Sequence, residues 1–264
     1  MVGDHRLFWG KIMRPIGIAL GLALAAITGA GGALAAAKPP PPYVEKAVAD
    51  ASRPADDRKA DAARKPDQVL AFSGVKPGQT VAEYLPGGGY YTRLLSDLVG
   101  PKGRVYALET STWGKENVEA TRKVLDEPGR NNVVLDVAPL GEFHTPQKVD
   151  LFWTTLNYHD LHVPKYANVD MAAFNKAVFD ALKPGGTYLI EDHAAAAGTG
   201  ATVAPTLHRI EKSTVIQEVT AAGFKLVAQS DVVANPSDDH SKVIFDPAIR
   251  GKTDQFILKF RKPA

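Results

Sequence analysis

Two carboxylates and a run of glycines carry the first chemical signal in this chain. The segment Thr80-Val81-Ala82-Glu83-Tyr84-Leu85-Pro86-Gly87-Gly88-Gly89 takes a short apolar strand through an acid into three consecutive glycines. An amphipathic stretch over 90–99 follows at once. Glycine has no Cβ, so its backbone turns tightly and approaches a ligand closely. A helix starting there offers free N–H groups and a positive dipole end to a polar or anionic ligand. Glu109 closes the next apolar run, 22 residues after Gly87. That spacing sets a carboxylate where ribose hydroxyls lie when a nucleoside sits over a glycine loop. Its two acceptor oxygens and lack of donors suit a pair of hydroxyls. The combination points to a nucleoside-cofactor site on an α/β sheet.

A second set of polar residues falls where later strands end. Asn157-Tyr158-His159-Asp160 follows the apolar run 149–155, and Asp192-His193 follows 186–191. His159 is the candidate general base, because an imidazole with a pKa of about 6.5 can remove a proton from a hydroxyl at neutral pH. Asp160 is placed to orient it. Asp160, Asp192 and His193 also offer the oxygen and nitrogen donors that a divalent cation takes. His208-Arg209 opens a later helix, with Arg209 available to an anionic substrate. His144, His162 and His240 have no comparable context.

Positioning these groups requires a sheet. Strands are predicted at 80–85, 104–109, 132–137, 149–155, 186–191, 225–233 and 254–260, each rich in Val, Leu, Ile, Phe or Tyr. Helices are predicted at 90–99, 113–126, 170–182 and 207–222, with a shorter one at 66–72. Met171, Phe174, Val178 and Leu182 give the 170–182 segment its helical spacing, and Lys183-Pro184-Gly185-Gly186 stops it. Such alternation predicts a mostly parallel sheet with helices on both faces. The last two strands, joined by a long loop, are expected to be antiparallel. The charged run 53–65 reads as a solvated helix face, or alternatively as a lid over the pocket.

The first residues read differently. Arg6, Lys11 and Arg14 precede an uncharged stretch over 15–37, whose end satisfies the small-x-small cleavage rule twice, at Ala33-Leu34-Ala35 and Ala35-Ala36-Ala37. We read 1–37 as a secretory signal peptide, 38–52 as a Pro/Ala-rich linker and 53–264 as the folded domain. A retained membrane anchor is the alternative, since 23 uncharged residues suffice to span a bilayer. Five of the 23 are glycine, which argues for cleavage and against stable membrane insertion. The chain has no cysteine, which excludes disulfides, thiolate metal sites and a lipidated N-terminal Cys. Of 31 basic and 29 acidic residues, three and one lie in 1–37, so the remainder carries 28 of each. That balance argues against a nucleic-acid binder.

Pro86-Gly87-Gly88-Gly89-Tyr90-Tyr91-Thr92, Asn157-Tyr158-His159-Asp160, Leu182-Lys183-Pro184-Gly185-Gly186, Glu191-Asp192-His193 and Leu207-His208-Arg209 form a recognisable series. Ala221-Ala222-Gly223-Phe224, Phe245-Asp246-Pro247 and Arg250-Gly251-Lys252-Thr253-Asp254 continue it. Over roughly 53–262 the chain resembles the class I S-adenosylmethionine-dependent methyltransferases, and within them a family of signal-bearing bacterial members. The resemblance implies a Rossmann-like seven-stranded sheet, mostly parallel with an antiparallel C-terminal strand. It implies that Glu83 accepts the amino group of the cofactor's methionine part, that Gly87, Gly88 and Gly89 bring backbone against the cofactor, and that Glu109 takes the ribose. Asp136 would lie near the adenine edge, and Asn157 would hold the acceptor. One position departs from the family: Leu85 stands where the usual pattern has its first glycine, narrowing the approach to the methionine end.

The leading expectation is therefore an exported S-adenosylmethionine-dependent methyltransferase acting on an oxygen or nitrogen of a small-molecule or exported acceptor. The alternatives are a non-catalytic periplasmic protein binding a small ligand on the same fold, and a metal-dependent hydrolase using Asp160, Asp192, His193 and His208.

Overall fold

The computed structural model describes residues 39–264. The expected signal segment, 1–37, lies outside them. No helix among the described residues is long and apolar enough to cross a membrane.

Seven strands form one sheet: β1 (Thr80–Tyr84), β2 (Arg104–Thr110), β3 (Val133–Ala138), β4 (Val149–Thr155), β5 (Leu182–His193), β6 (Lys225–Ser230) and β7 (Gln255–Arg261). Their order is β3-β2-β1-β4-β5-β7-β6. The first five pair in parallel, and β7 is antiparallel to both β5 and β6. Parallel strands covered on both faces read as continuous apolar runs, which is what Leu151-Phe152-Trp153 in β4 provides. Alternate residues then serve opposite layers: Phe152 packs with Tyr84, Tyr188 and Phe260, and Trp153 with Tyr91, Leu189 and Ile257.

Among the described residues, eight α-helices cover the faces: α1 (Pro42–Val48), α2 (Ala55–Arg64), α3 (Pro66–Ser73), α4 (Tyr90–Val99), α5 (Lys115–Leu125), α6 (Met171–Ala181), α7 (Ala204–Leu207) and α8 (Lys212–Ala221). Val44 of α1, Val69 and Leu70 of α3 and Leu94 and Leu95 of α4 share the Trp153 layer. Phe174 of α6 and Val215 of α8 belong to the Phe152 layer. The segment read as a Pro/Ala-rich linker thus supplies a core helix, because Val44 and Ala47 fall one turn apart and bury together.

Three predicted boundaries move. The strand predicted over 225–233 ends at Ser230. Strand β5 begins at Leu182, already opposite Val149, and Lys183-Pro184-Gly185-Gly186 is an irregularity inside it rather than a turn before it. The helix predicted over 207–222 is two helices, because His208 takes a left-handed conformation (φ 54°) that ends α7.

Glu191 of β5 is fully buried on the Trp153 side of the sheet, and neither carboxylate oxygen has a protein partner. Burial pushes its pKa from 4.5 to about 8. The folded state therefore holds a proton that the unfolded chain releases, and stability falls as pH rises through the folded pKa. Glu191→Gln is expected to raise the unfolding temperature at about pH 8.5 and leave it nearly unchanged at about pH 5. Thermal unfolding at both pH values checks this, and equal shifts at the two would refute it.

Candidate functional site

The strand order reverses between β1 and β4, and α/β sheets bind ligands in the crevice at such a switch point, outside the carboxyl ends of the strands. A cavity of about 440 Å³ lies there. Glu83, Leu85, Gly87 and Gly88 line it from the β1 end, and Trp153, Leu156, Asn157 and Asp160 from the β4 end.

Both strand ends turn through left-handed residues without being glycine: Leu85 has φ 54° and Leu156 φ 59°. Leu85 N–H donates to the Leu108 carbonyl and Leu156 N–H to that of Glu191, each at 2.8 Å, so the neighbouring strands fix these turns. The Asn157 amide then donates to the carbonyls of Tyr84 and Leu85, both at 3.1 Å, tying the two turns together. Its Oδ1 is buried without a protein partner. This leaves an acceptor on a residue of the cavity wall.

Glu83 is 3% exposed and accepts the Thr92 hydroxyl at 2.6 Å. Burial, reinforced by Glu109 nearby, pushes its pKa to about 8. Glu109 is not itself part of the cavity wall but lies directly behind the glycine turn that is: Oε1 accepts the Gly87 N–H at 3.0 Å and the Thr121 hydroxyl at 2.8 Å. Burial raises its pKa to about 7 against those two hydrogen bonds. Both acids can thus ionise fully in response to a cation. Gly89 caps α4 at φ 78°, and a Cβ there would stand 2.5 Å from Val124 Cγ2 of α5. Close approach of α5 to the glycine turn depends on it.

Asp136 is not part of the cavity wall. It pairs in register with Leu108, one residue from Glu109, and so points to the opposite face of the sheet. There it accepts the His144 N–H at 2.9 Å.

The sequence-based candidates did not include the wall contributed by α2. Asp57 and Arg64 line the cavity, with Arg64 4.6 Å from the Tyr90 ring centre. Arg53 forms a two-pronged pair with Asp61, both bonds 2.8 Å, and Asp61 also accepts the Tyr90 hydroxyl at 2.6 Å. Arg93 of α4 donates to the Gly88 carbonyl at 3.0 Å and to Asp57 at 3.2 Å, joining glycine turn and α2. Both readings of 53–65 hold in part: α2 buries no residue and keeps one face in solvent, while Asp57 and Arg64 on the other line the cavity. The signal available was the Tyr90-Tyr91 pair, two large rings at a helix start that need cover. Trp113 and Asn117, after β2, line the cavity from the other side and were likewise not singled out.

His159 is 1% exposed and does not line the cavity. Its Nδ1 meets Asp192 Oδ1 at 2.7 Å, and its Nε2 faces Asp160 Oδ1 at 3.3 Å. Burial pulls its pKa down, but Asp192 and Asp160 outweigh this and raise it to about 10. Both ring nitrogens are engaged by carboxylates and the ring lies outside the cavity wall, so the geometry does not support the general-base role expected for His159. Asp160 is the member that reaches the cavity. Burial would raise its pKa, yet hydrogen bonds from His159 and His208 hold it at about 2.

Asp192 is consumed by three donors: His159 Nδ1, the His159 N–H at 2.8 Å and the His193 N–H at 2.7 Å. His193 turns to Thr253 Oγ1 at 2.8 Å, and burial lowers its pKa to about 3. Arg209 is fully buried, bonded to Asp238 at 2.8 Å and to the carbonyls of Lys242 and Ala194 at 3.0 Å. It pins the long segment between β6 and β7 and is closed to an anionic substrate. His208 sits at the cluster, its Nδ1 3.2 Å from Asp160 Oδ1.

Solved structures share this architecture. A methyltransferase from Aquifex aeolicus, described as dependent on S-adenosylmethionine, superposes with a TM-score of 0.56 at 22% identity, covering 83% of this chain and 96% of its own. The fold is that of the class I methyltransferases. The [4+2]-cyclase SpnF superposes with a TM-score of 0.58 at 17% identity, covering 82% and 85%. At those identities the likeness concerns the fold alone. In sequence, a protein-L-isoaspartate O-methyltransferase from Aeropyrum pernix is 32% identical over 123 residues, 47% of this chain and 42% of that relative. This chain thus matches less than half the length of that relative. No protein-family model matches it.

Within the methyltransferase fold, Glu83 and Glu109 stand at the ends of β1 and β2, flanking a glycine turn in contact with both the cavity and α4. Leu85, at the position where the class I pattern carries its first glycine, takes a left-handed φ, a conformation that glycine adopts without strain.

Proposed function

We propose that this chain is an S-adenosylmethionine-dependent methyltransferase that modifies an oxygen or nitrogen of a small-molecule or exported acceptor. The observation that carries the reading is the hydrogen bond from the Gly87 N–H to Glu109, which joins the acid expected to take the ribose to the glycine turn lining the β1–β4 crevice. S-adenosylmethionine supplies an electrophilic methyl group on a sulfonium centre. Glu83 accepts from its amino group, Glu109 from its ribose hydroxyls, and Trp113 offers a ring to its adenine. Asn157 Oδ1 is a further acceptor for an amino donor. Asp56, Asp57 and Asp160, set against Arg64, give the wall a negative balance that suits a cationic ligand, to which Glu83 adds when it ionises. Asp160 draws and orients the acceptor, and His159 holds Asp160 in place. Catalysis on this reading comes mainly from positioning. The leader-like pattern of 1–37 supports action outside the cytosol.

Calorimetric titration with S-adenosylmethionine and its demethylated product tests the reading. Micromolar binding of both is expected. No binding at millimolar concentration would sink it and favour a small-ligand-binding protein on the same fold.

A further inference from the structure

His159, Asp160 and His208 bring three donor atoms together from two separate segments, a short 3-10 helix after β4 (His159–His162) and the residue that caps α7. All three atoms lie within 4.8 Å of one another. The geometry points to a binding site for a divalent transition-metal ion, with His159 Nε2, Asp160 Oδ1 and His208 Nδ1 as its protein ligands. Zinc fits the set best.

The spacing is the first argument. Asp160 Oδ1 stands 3.3 Å from His159 Nε2 and 3.2 Å from His208 Nδ1. Bonds of about 2.0–2.1 Å around a tetrahedral zinc put neighbouring donors about 3.3–3.4 Å apart. Two edges of such a polyhedron are therefore already in place. The second argument is the outer carboxylate. Asp192 Oδ1 lies 2.7 Å from Nδ1 of His159, which orients the ring and turns Nε2 toward the other two donors. A carboxylate behind a ligand imidazole is the usual means of orienting it. Asp192 is in turn held by two backbone N–H groups, so its orientation is fixed. The third argument is backbone strain: His208 adopts φ 54° without being glycine, and non-glycine residues persist in that region when surrounding structure over-determines them. Phe245, 54% exposed, lies edge-on to the His208 ring at 4.9 Å and shields it from one side.

Two imidazoles and one carboxylate suit zinc, iron(II), cobalt(II) or manganese(II) rather than calcium or magnesium. Three protein ligands leave at least one coordination position open, as in catalytic rather than structural zinc sites. Asp160 belongs both to the cluster and to the cavity wall, so that position is reached from the cavity. This ligand set differs from the one expected from sequence: Asp192 moves to the outer layer, His193 is turned away to Thr253, and His159 and His208 take their places.

The test is titration of chelator-treated protein with Zn²⁺ by calorimetry and with Co²⁺ by visible absorption. One equivalent is expected to bind, with cobalt bands of tetrahedral intensity and a raised unfolding temperature. His208→Ala and Asp160→Asn should each weaken binding about 100-fold or more while circular dichroism stays native. Asp192→Asn should weaken it about 10- to 100-fold. Absence of stoichiometric binding, or equal affinity in natively folded His208→Ala and Asp160→Asn, would overturn the site. Binding of S-adenosylmethionine is measured separately, so either assignment can fail without the other.

Discussion

Glu109→Gln is expected to weaken S-adenosylmethionine binding at least about 100-fold. The wild-type carboxylate is an acceptor at every position. Its Oε1 already serves the Gly87 N–H and the Thr121 hydroxyl, and the ribose hydroxyls need further acceptance from the same group. Hydrogen bonds to a charged group contribute about 1.5–3 kcal/mol each, and leaving a buried donor unpaired costs a comparable amount. Glutamine replaces one acceptor by a donor, which must then face either the Gly87 N–H or a hydroxyl. The pH dependence gives a second readout. Glu109 and Glu83 are pushed to about 7 and about 8 by burial, so both are partly or wholly protonated below neutrality. A cationic ligand favours their ionised forms, and binding therefore releases protons near neutral pH. Affinity should fall as pH drops from about 8.5 to about 6. Glu109→Gln should remove the component near 7 and keep the one near 8. Calorimetry across that range checks both, and an unchanged affinity in the variant would refute the role.

The second large effect concerns stability. Gly89→Ala is expected to destabilise the fold by about 2–5 kcal/mol, from a left-handed backbone penalty of about 1–2 kcal/mol and an overpacking cost of about 1–3 kcal/mol. Its Cβ would stand 2.5 Å from Val124 Cγ2, and φ there is +78°. For a chain of this size the unfolding temperature should drop by roughly 5–15 °C. Gly88→Ala is the comparison. A Cβ at Gly88 meets nothing within 4 Å, and its φ lies outside the left-handed region. Its stability should stay within about 0.5 kcal/mol of the parent, with any effect appearing in ligand binding. Equal destabilisation by both substitutions would show that the turn, and not the α5 contact, sets the requirement.

The parallel sheet was legible because its signals are local. The runs 80–85, 104–109, 132–137 and 149–155 each begin and end within a residue of the observed strands, since apolar stretches bounded by turn residues leave little choice of element. The run at 186–191 was placed but shortened, because Lys183-Pro184-Gly185-Gly186 has the composition of a turn while its flanks already pair with β4. The split at His208 carried no signal: only contacts from outside the segment hold that residue left-handed. Residues 42–48 looked like linker because the burial of Val44 and Ala47 depends on where α3 and α4 lie, while 55–64 buries no residue and is placed over the cavity only by its polar contacts.

The candidate site divides in the same way. Glu83, the glycines and Glu109 are determined by sequence, since strand, turn, helix and strand follow one another and the carboxylates must fall at the same sheet edge. The roles of Asp136, His159, Asp192, His193 and Arg209 were decided only by tertiary structure. Asp136 is turned to the other face by the two-residue repeat of β3. His159 is locked between two carboxylates, Asp192 and His193 are consumed by neighbours, and Arg209 is buried against Asp238. A sequence fixes which groups are available and which strand end carries them. Which of their polar atoms remain free depends on partners far away in the chain, such as Asp238 and Thr253, and those meet only when the fold closes.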